Sequence, residues 1–352
     1  MEKIELVIKK IDVKEKNKKI KLAGITFSRA FCTLGIFIFH YFCHSNSNIK
    51  FLNKTANSTW GFMFSTTFFC ISGTVLYYNY PYINSVKKFY YKRWKAIFPS
   101  YYISFTFFHL NRAFRSHKIL FRRNWFKLIY TIIGLDGYLF YRIKTYYIVG
   151  EWFLGAIILI YLLYPLILWV INKNIIFIYL ILIIGYYLML QTNFFIIMKD
   201  TNLITCLASF SFGIIIIRYK KIFLDIYIAF FISLILLIFL NYVKVRCSII
   251  TFQLQGFCLF ITLIKVGGYI MSEGKMKIIN LISKLSYFIF LYHHLLIFDV
   301  LGINNPKEWY LHIILSLVTF ILTIIYSSIH SMVVNSILNS EIFKKIDSLF
   351  IE

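Results

Sequence analysis

The sequence predicts an all-α protein, a polytopic bundle of about ten transmembrane helices. Three observations carry this. Charged residues make up only 15% of the 352 positions, against 60% hydrophobic, where a soluble domain carries about 25% charged residues. The apolar residues gather in runs of about 20, the length that crosses the hydrocarbon as a helix. Lys and Arg fall in the short segments between the runs rather than in one domain.

The runs lie at residues 24–43, 59–79, 96–111, 152–171, 175–190, 202–217, 222–240, 247–270, 281–298 and 309–335. They divide the chain into a basic N-terminal tail (1–23), a membrane domain (24–335) and a C-terminal tail (336–352). The first 23 residues are rich in Lys and Glu, and no small-residue cleavage site follows. The first run therefore reads as an uncleaved span rather than a signal peptide. Residues 127–141 form a weaker candidate, short and interrupted by Gly134, Asp136 and Gly137.

Loop charge decides between ten spans and eleven. With ten, and the N-terminus inside, the inner segments hold 22 Lys and Arg and the outer ones 14. An eleventh span at 127–141 swaps every later loop, and the split falls to 19 against 17. Cytoplasmic loops carry the excess of positive charge, so ten spans fit better, with both tails inside. The misfit is the outer loop 112–151, which holds Arg112, Arg115, Lys118, Arg122, Arg123 and Lys127. The expected location is a cell membrane, with a bacterial plasma membrane the simplest setting. Topology accounts for most of the net charge of +24, so no nucleic-acid partner is expected. Six cysteines, at 32, 43, 70, 206, 247 and 258, include no C-x-x-C pair. Neither a disulfide framework nor a metal site is indicated.

Ionisable groups inside a span face the bundle interior and mark functional sites by default. Arg29 and His40 stand eleven residues apart in the first run. Helical geometry puts them on one face, about 16 Å apart along the axis. The pair suits a polar path along the helix, or equally an Arg29 snorkelling to the inner headgroups and a His40 at the opposite interface. Ser72 and Gly73 end the second run's core, where small residues allow close helix contact. Lys92, Arg93 and Lys95 precede Pro99, and Pro in a first turn predicts a helix beginning there. Cations beside such a helix start suit phosphate groups, or simply set topology. Glu151 opens the run at 152, either as a helix cap favoured by the dipole or as a carboxylate orienting a catalytic His. In the ninth run Ser286 and His293 share a face, while His294 points about 100° away. Lys265, His312 and His330 lie near the ends of their runs and are expected to snorkel.

Together these motifs resemble the acyltransferase type 3 family of integral membrane enzymes. The resemblance rests on the R-x10-H pair Arg29/His40, on Phe68–Gly73 (FFCISG), on Arg93–Tyr102, on Glu151–Pro165 and on Ser286–His294. It implies transfer of an acyl group, usually acetyl, from acyl-CoA to a hydroxyl of a surface polysaccharide or lipid-linked sugar. By the same resemblance Arg29 and His40 form the essential pair, and Arg93 belongs to the motif beside the CoA site. Ala96 stands where relatives carry a second Arg, with Lys95 as an imperfect substitute.

Acyl transfer needs a base near the attacking hydroxyl, and imidazole suits that role near neutral pH. Arg93, Lys92 and Lys95 are the candidate phosphate contacts of acetyl-CoA, and Arg29 or Ser72 the donor to a developing oxyanion. His293 and Glu151 complete the catalytic candidates. A transporter or flippase of a lipid-linked glycan is the alternative. Such proteins carry internal repeats and matching broken helices, which are not seen in this sequence. A homo-oligomer is compatible with everything above.

Overall fold

A computed structural model describes residues 2–45, 59–117, 124–192, 197–225, 227–242, 248–271 and 276–351. The regular elements among them are helices, and ten long ones overlie the ten apolar runs. They are α1 (Glu2–His44), α2 (Thr59–Asn79), α3 (Val86–Ser116), α6 (Trp152–Lys173), α7 (Ile175–Gln191), α8 (Leu203–Arg218), α9 (Tyr227–Tyr242), α10 (Ser248–Ile270), α11 (Lys277–Ile303) and α12 (Trp309–Leu338). Short helices α4 (Leu128–Ile132) and α5 (Asp136–Leu139) break the 127–141 segment into pieces that span nothing, and α13 (Glu341–Ile351) ends the chain. Within α1, α6, α10, α11 and α12 lie stretches long and apolar enough to cross a membrane; α7, α8 and α9 are apolar but shorter.

The polarity of α12 identifies its solvent. Its buried residues include His312, Thr319, Thr323, Ser327, His330 and Ser331. Ile314, Leu317, Ile321, Ile329 and Met332 are each more than half exposed. A water-soluble helix would show the reverse. Lipid tails are as apolar as leucine, so polar contacts inside and aliphatic surface outside is the stable arrangement in a bilayer. Two of the inward hydroxyls are satisfied locally: Thr319 and Thr323 donate to the carbonyls of Leu315 and Thr319, each at 2.7 Å.

The chain groups into two compact units. The first takes α1 as far as Phe39, α2 as far as Val75, and Ser209–Ser286. Its core holds Ile25, Cys70, Ile71, Ile216, Phe260 and Ile264. Here α2 and α8 cross with their backbones in contact. A Cβ on Gly73 would meet the Phe210 carbonyl, and one on Gly213 would meet that of Cys70. Thr74 donates to the Gly213 carbonyl at 2.8 Å across the same crossing. The Ser72-Gly73 pair thus serves close packing, with Ser72 half-buried beside it.

The second unit contains His40 onward in α1, Leu76–Ala208, and Tyr287 to the C-terminus. Here α3 corrects the expectation of a helix beginning near Pro99. The helix starts at Val86, where the Ser85 side chain accepts from the Lys88 N–H, and Pro99 lies well inside it. Proline removes one backbone donor, a loss that neighbouring groups in membrane helices absorb. Lys92, Arg93 and Lys95 are therefore on the body of a helix, away from its free N–H groups. The Arg93 guanidinium lies over the rings of Tyr80, Tyr161 and Phe89 at 5.1, 5.8 and 6.0 Å. Lys95 Nζ pairs with Asp347 of α13 at 2.6 Å, and Tyr91 donates to the same carboxylate at 2.7 Å.

His312 and His330 do not snorkel. His312 is fully buried, with its ring nitrogens 3.3 Å from the Tyr41 hydroxyl and 2.7 Å from the Pro306 carbonyl. The buried His330 Nδ1 meets Tyr292 at 2.6 Å and Ser104 at 3.2 Å. Hydrogen bonds across helices hold these rings inside, and the distance to the membrane surface has no say.

Candidate active site

Three segments of the second unit converge on one carboxylate. Glu151 stands at the N-cap of α6 but makes no side-chain cap; its carboxylate turns instead to histidines. His40, near the end of α1, places Nε2 3.7 Å from Oε2. From α11, His293 Nε2 lies 3.4 Å and His294 Nε2 3.0 Å from Oε1. The His40 ring centre is 5.2 Å from that of His293 and 4.0 Å from that of His294. His293 is almost completely buried, while His40, His294 and Glu151 keep a small exposed edge. His44 sits on the rim, its ring against Phe298 at 4.5 Å and 5.7 Å from His294.

The segment before Glu151 explains its placement. Gly137 pairs with Glu151 in an isolated parallel bridge. A Cβ at Gly137 would lie 2.6 Å from the Glu151 carbonyl carbon and 2.7 Å from the Gly150 oxygen. Beneath this contact Thr131 donates to the Asp136 carboxylate, and Thr145 donates to the Asp136 carbonyl at 3.1 Å. The glycine and aspartate that make 127–141 a poor span are what let it pack under the carboxylate. Gly137→Ala forces two backbones apart, an overpacking that costs about 1–3 kcal/mol. Thermal unfolding in detergent should show a lower midpoint together with reduced activity, and unchanged values for both would reject this account.

His293 orients itself. Its Nδ1 lies 2.9 Å from the Phe290 carbonyl and 3.2 Å from that of Ile289. Carbonyls only accept, so Nδ1 carries the hydrogen and, in the neutral ring, Nε2 presents a lone pair to Glu151.

Of the residues singled out in the sequence, His40, Glu151 and His293 come together. Arg29 is half-buried on α1 in the first unit, as Ser72 is on α2. Arg93, Lys92 and Lys95 are on α3. His294 joins the cluster although it points about 100° from His293, because the carboxylate reaches both directions. The adjacency of two intramembrane histidines was the only available signal for it.

The profile of the acyltransferase domain matches residues 22–330, nearly the whole chain. The protein is a membrane acyltransferase. It belongs to the acyltransferase type 3 family. No match was found among curated proteins or among solved structures.

Proposed function

We propose that this acyltransferase moves an acyl group, acetyl in the simplest case, from acyl-CoA to a hydroxyl of a surface polysaccharide or lipid-linked sugar. The observation that carries the reading is the His40–Glu151 pair, a base and an orienting carboxylate 3.7 Å apart in a chain of this family. His40 takes the proton of the acceptor hydroxyl, whose oxygen attacks the thioester carbonyl, and Glu151 Oε2, 3.7 Å from Nε2, stabilises the imidazolium that forms. The C–O bond forms, the C–S bond breaks, and the CoA thiolate recovers the proton. A positioned base of this kind contributes about 10²–10⁴-fold. Arg29, eleven residues before His40 in the sequence, is the cation proposed to meet the acyl donor.

Lys92 on α3 is the first contact proposed for the CoA phosphates, with Arg93 and Lys95 beside it. Lys95 reaches them by exchanging Asp347 for phosphate. In this reading the tails and the start of α3 face the cytoplasm, and Glu151 and His40 the opposite side.

The test uses full-length protein purified in detergent with acyl-labelled acetyl-CoA and oligosaccharide acceptors. Label should move to the sugar, and glycan from a deletion strain should lack an O-acetyl group. Folded protein that neither binds nor consumes any acyl-CoA would reject the proposal.

A further inference from the structure

Buried polar atoms in native proteins have partners, and each orphan calls for an explanation. Glu151 Oε1, His293 Nε2 and His294 Nε2 are all buried without a hydrogen bond. These three orphans are not scattered. Both nitrogens face the same oxygen, at 3.4 and 3.0 Å. For His293 the backbone carbonyls at Nδ1 leave Nε2 as a lone pair in the neutral ring, and a lone pair aimed at a carboxylate oxygen is repulsive. A cation between them removes the repulsion and satisfies all three atoms at once.

The geometry agrees in detail. Bonds of about 2.0–2.2 Å in a tetrahedral zinc site put neighbouring ligand atoms about 3.3–3.6 Å apart. The two proposed ligand nitrogens stand 3.4 and 3.0 Å from Glu151 Oε1, and ligand atoms of these residues and His40 fit within 4.8 Å of one another. A backbone carbonyl on the far nitrogen is also how metal-binding histidines are held in the right tautomer. Imidazole with one carboxylate and no thiolate suits zinc among the divalent ions.

We propose that Glu151, His293 and His294 hold a zinc ion whose fourth position faces His40. Three protein ligands with one open position is the arrangement of catalytic zinc sites. The proposal rests on the acyl-transfer reading for its chemistry. The acceptor hydroxyl enters the open position, where the metal lowers its pKa, and its proton passes to the His40 imidazole. The resulting alkoxide attacks the thioester as described above, and the thiolate recovers the proton from His40. Spacing along the sequence offers no such site, because the ligands come from α11 and from the start of α6.

The experiment is elemental analysis of full-length protein purified in detergent without chelators. We expect one zinc per chain in the wild type and in His40→Ala, and loss of it in the double variant His293→Ala/His294→Ala. Because His293 is buried, two further measurements stand apart from that variant. His294→Gln should weaken binding, and chelator-stripped wild type should take up cobalt(II) with the visible absorption of a tetrahedral site. Equal metal in wild type and double variant, meaning an adventitious ion only, would overturn the site. So would stripped protein that takes up no cobalt. Stripped protein that transfers acyl groups at the untreated rate overturns the metal and leaves the acyltransferase reading intact. Stoichiometric zinc in a protein inert toward acyl-CoA does the opposite.

Discussion

His40→Ala should reduce acyl transfer by about 10²–10⁴-fold, the contribution of a positioned general base, while the protein inserts and folds normally. Packing at this end of α1 is carried by neighbours of His40. Phe37 and Tyr41 are almost completely buried, and Phe42 nearly so. The imidazole itself keeps an exposed edge beside Glu151, so its removal opens little space in the core. His40→Gln retains a polar side chain of similar size and cannot take a proton, and it should be equally inactive. His44→Ala serves as the control. That ring is exposed on the rim, one turn beyond His40, and its loss should leave the rate near wild type. Transfer to an oligosaccharide acceptor by purified protein is the measurement. Wild-type rates in a well-folded His40→Ala protein would move the proton transfer to another group of the cluster.

The fold was readable because bilayer physics acts on composition alone. A run of about 20 apolar residues must be a helix, since lipid offers no partner for free backbone groups. The ten runs accordingly coincide with ten long helices, most of them to within a few residues at each end. Boundaries set by capping were less legible. Pro99 suggested a helix start, but the Ser85 cap begins α3 thirteen residues earlier, and a proline inside the helix is tolerated. Spacing within one helix could relate Arg29 to His40. It could not relate His40 to Glu151 or His293, which lie more than a hundred residues further along the chain. For Glu151 the local rule pointed to a dipole-stabilising cap, and tertiary contact with three imidazoles overrides it. The same competition misplaces His312 and His330. Their nearness to span ends suggested snorkelling, whereas partners on other segments hold them in the interior.

Glu151→Gln should lower the transfer rate by about the same 10²–10⁴-fold as His40→Ala, because the two groups act as one unit. Gln matches Glu in shape, and the backbone contact of Glu151 with Gly137 does not involve the carboxylate, so the loop and α6 stay in place. What disappears is the negative charge that both orients His40 and stabilises its protonated form after it takes the hydroxyl proton. Residues that work on one proton lose their effect together, and the second substitution then adds little. The double variant His40→Ala/Glu151→Gln should therefore be no slower than the worse single variant, whereas independent contributions would multiply. Glu151→Asp keeps the charge but shortens the reach by one methylene, lengthening a contact that already stands at 3.7 Å, and should fall between wild type and Gln. Initial rates with purified protein, together with thermal midpoints to confirm folding, give all four comparisons. Multiplicative losses in the double variant would separate Glu151 from the His40 proton and assign the carboxylate to the two histidines of α11 alone.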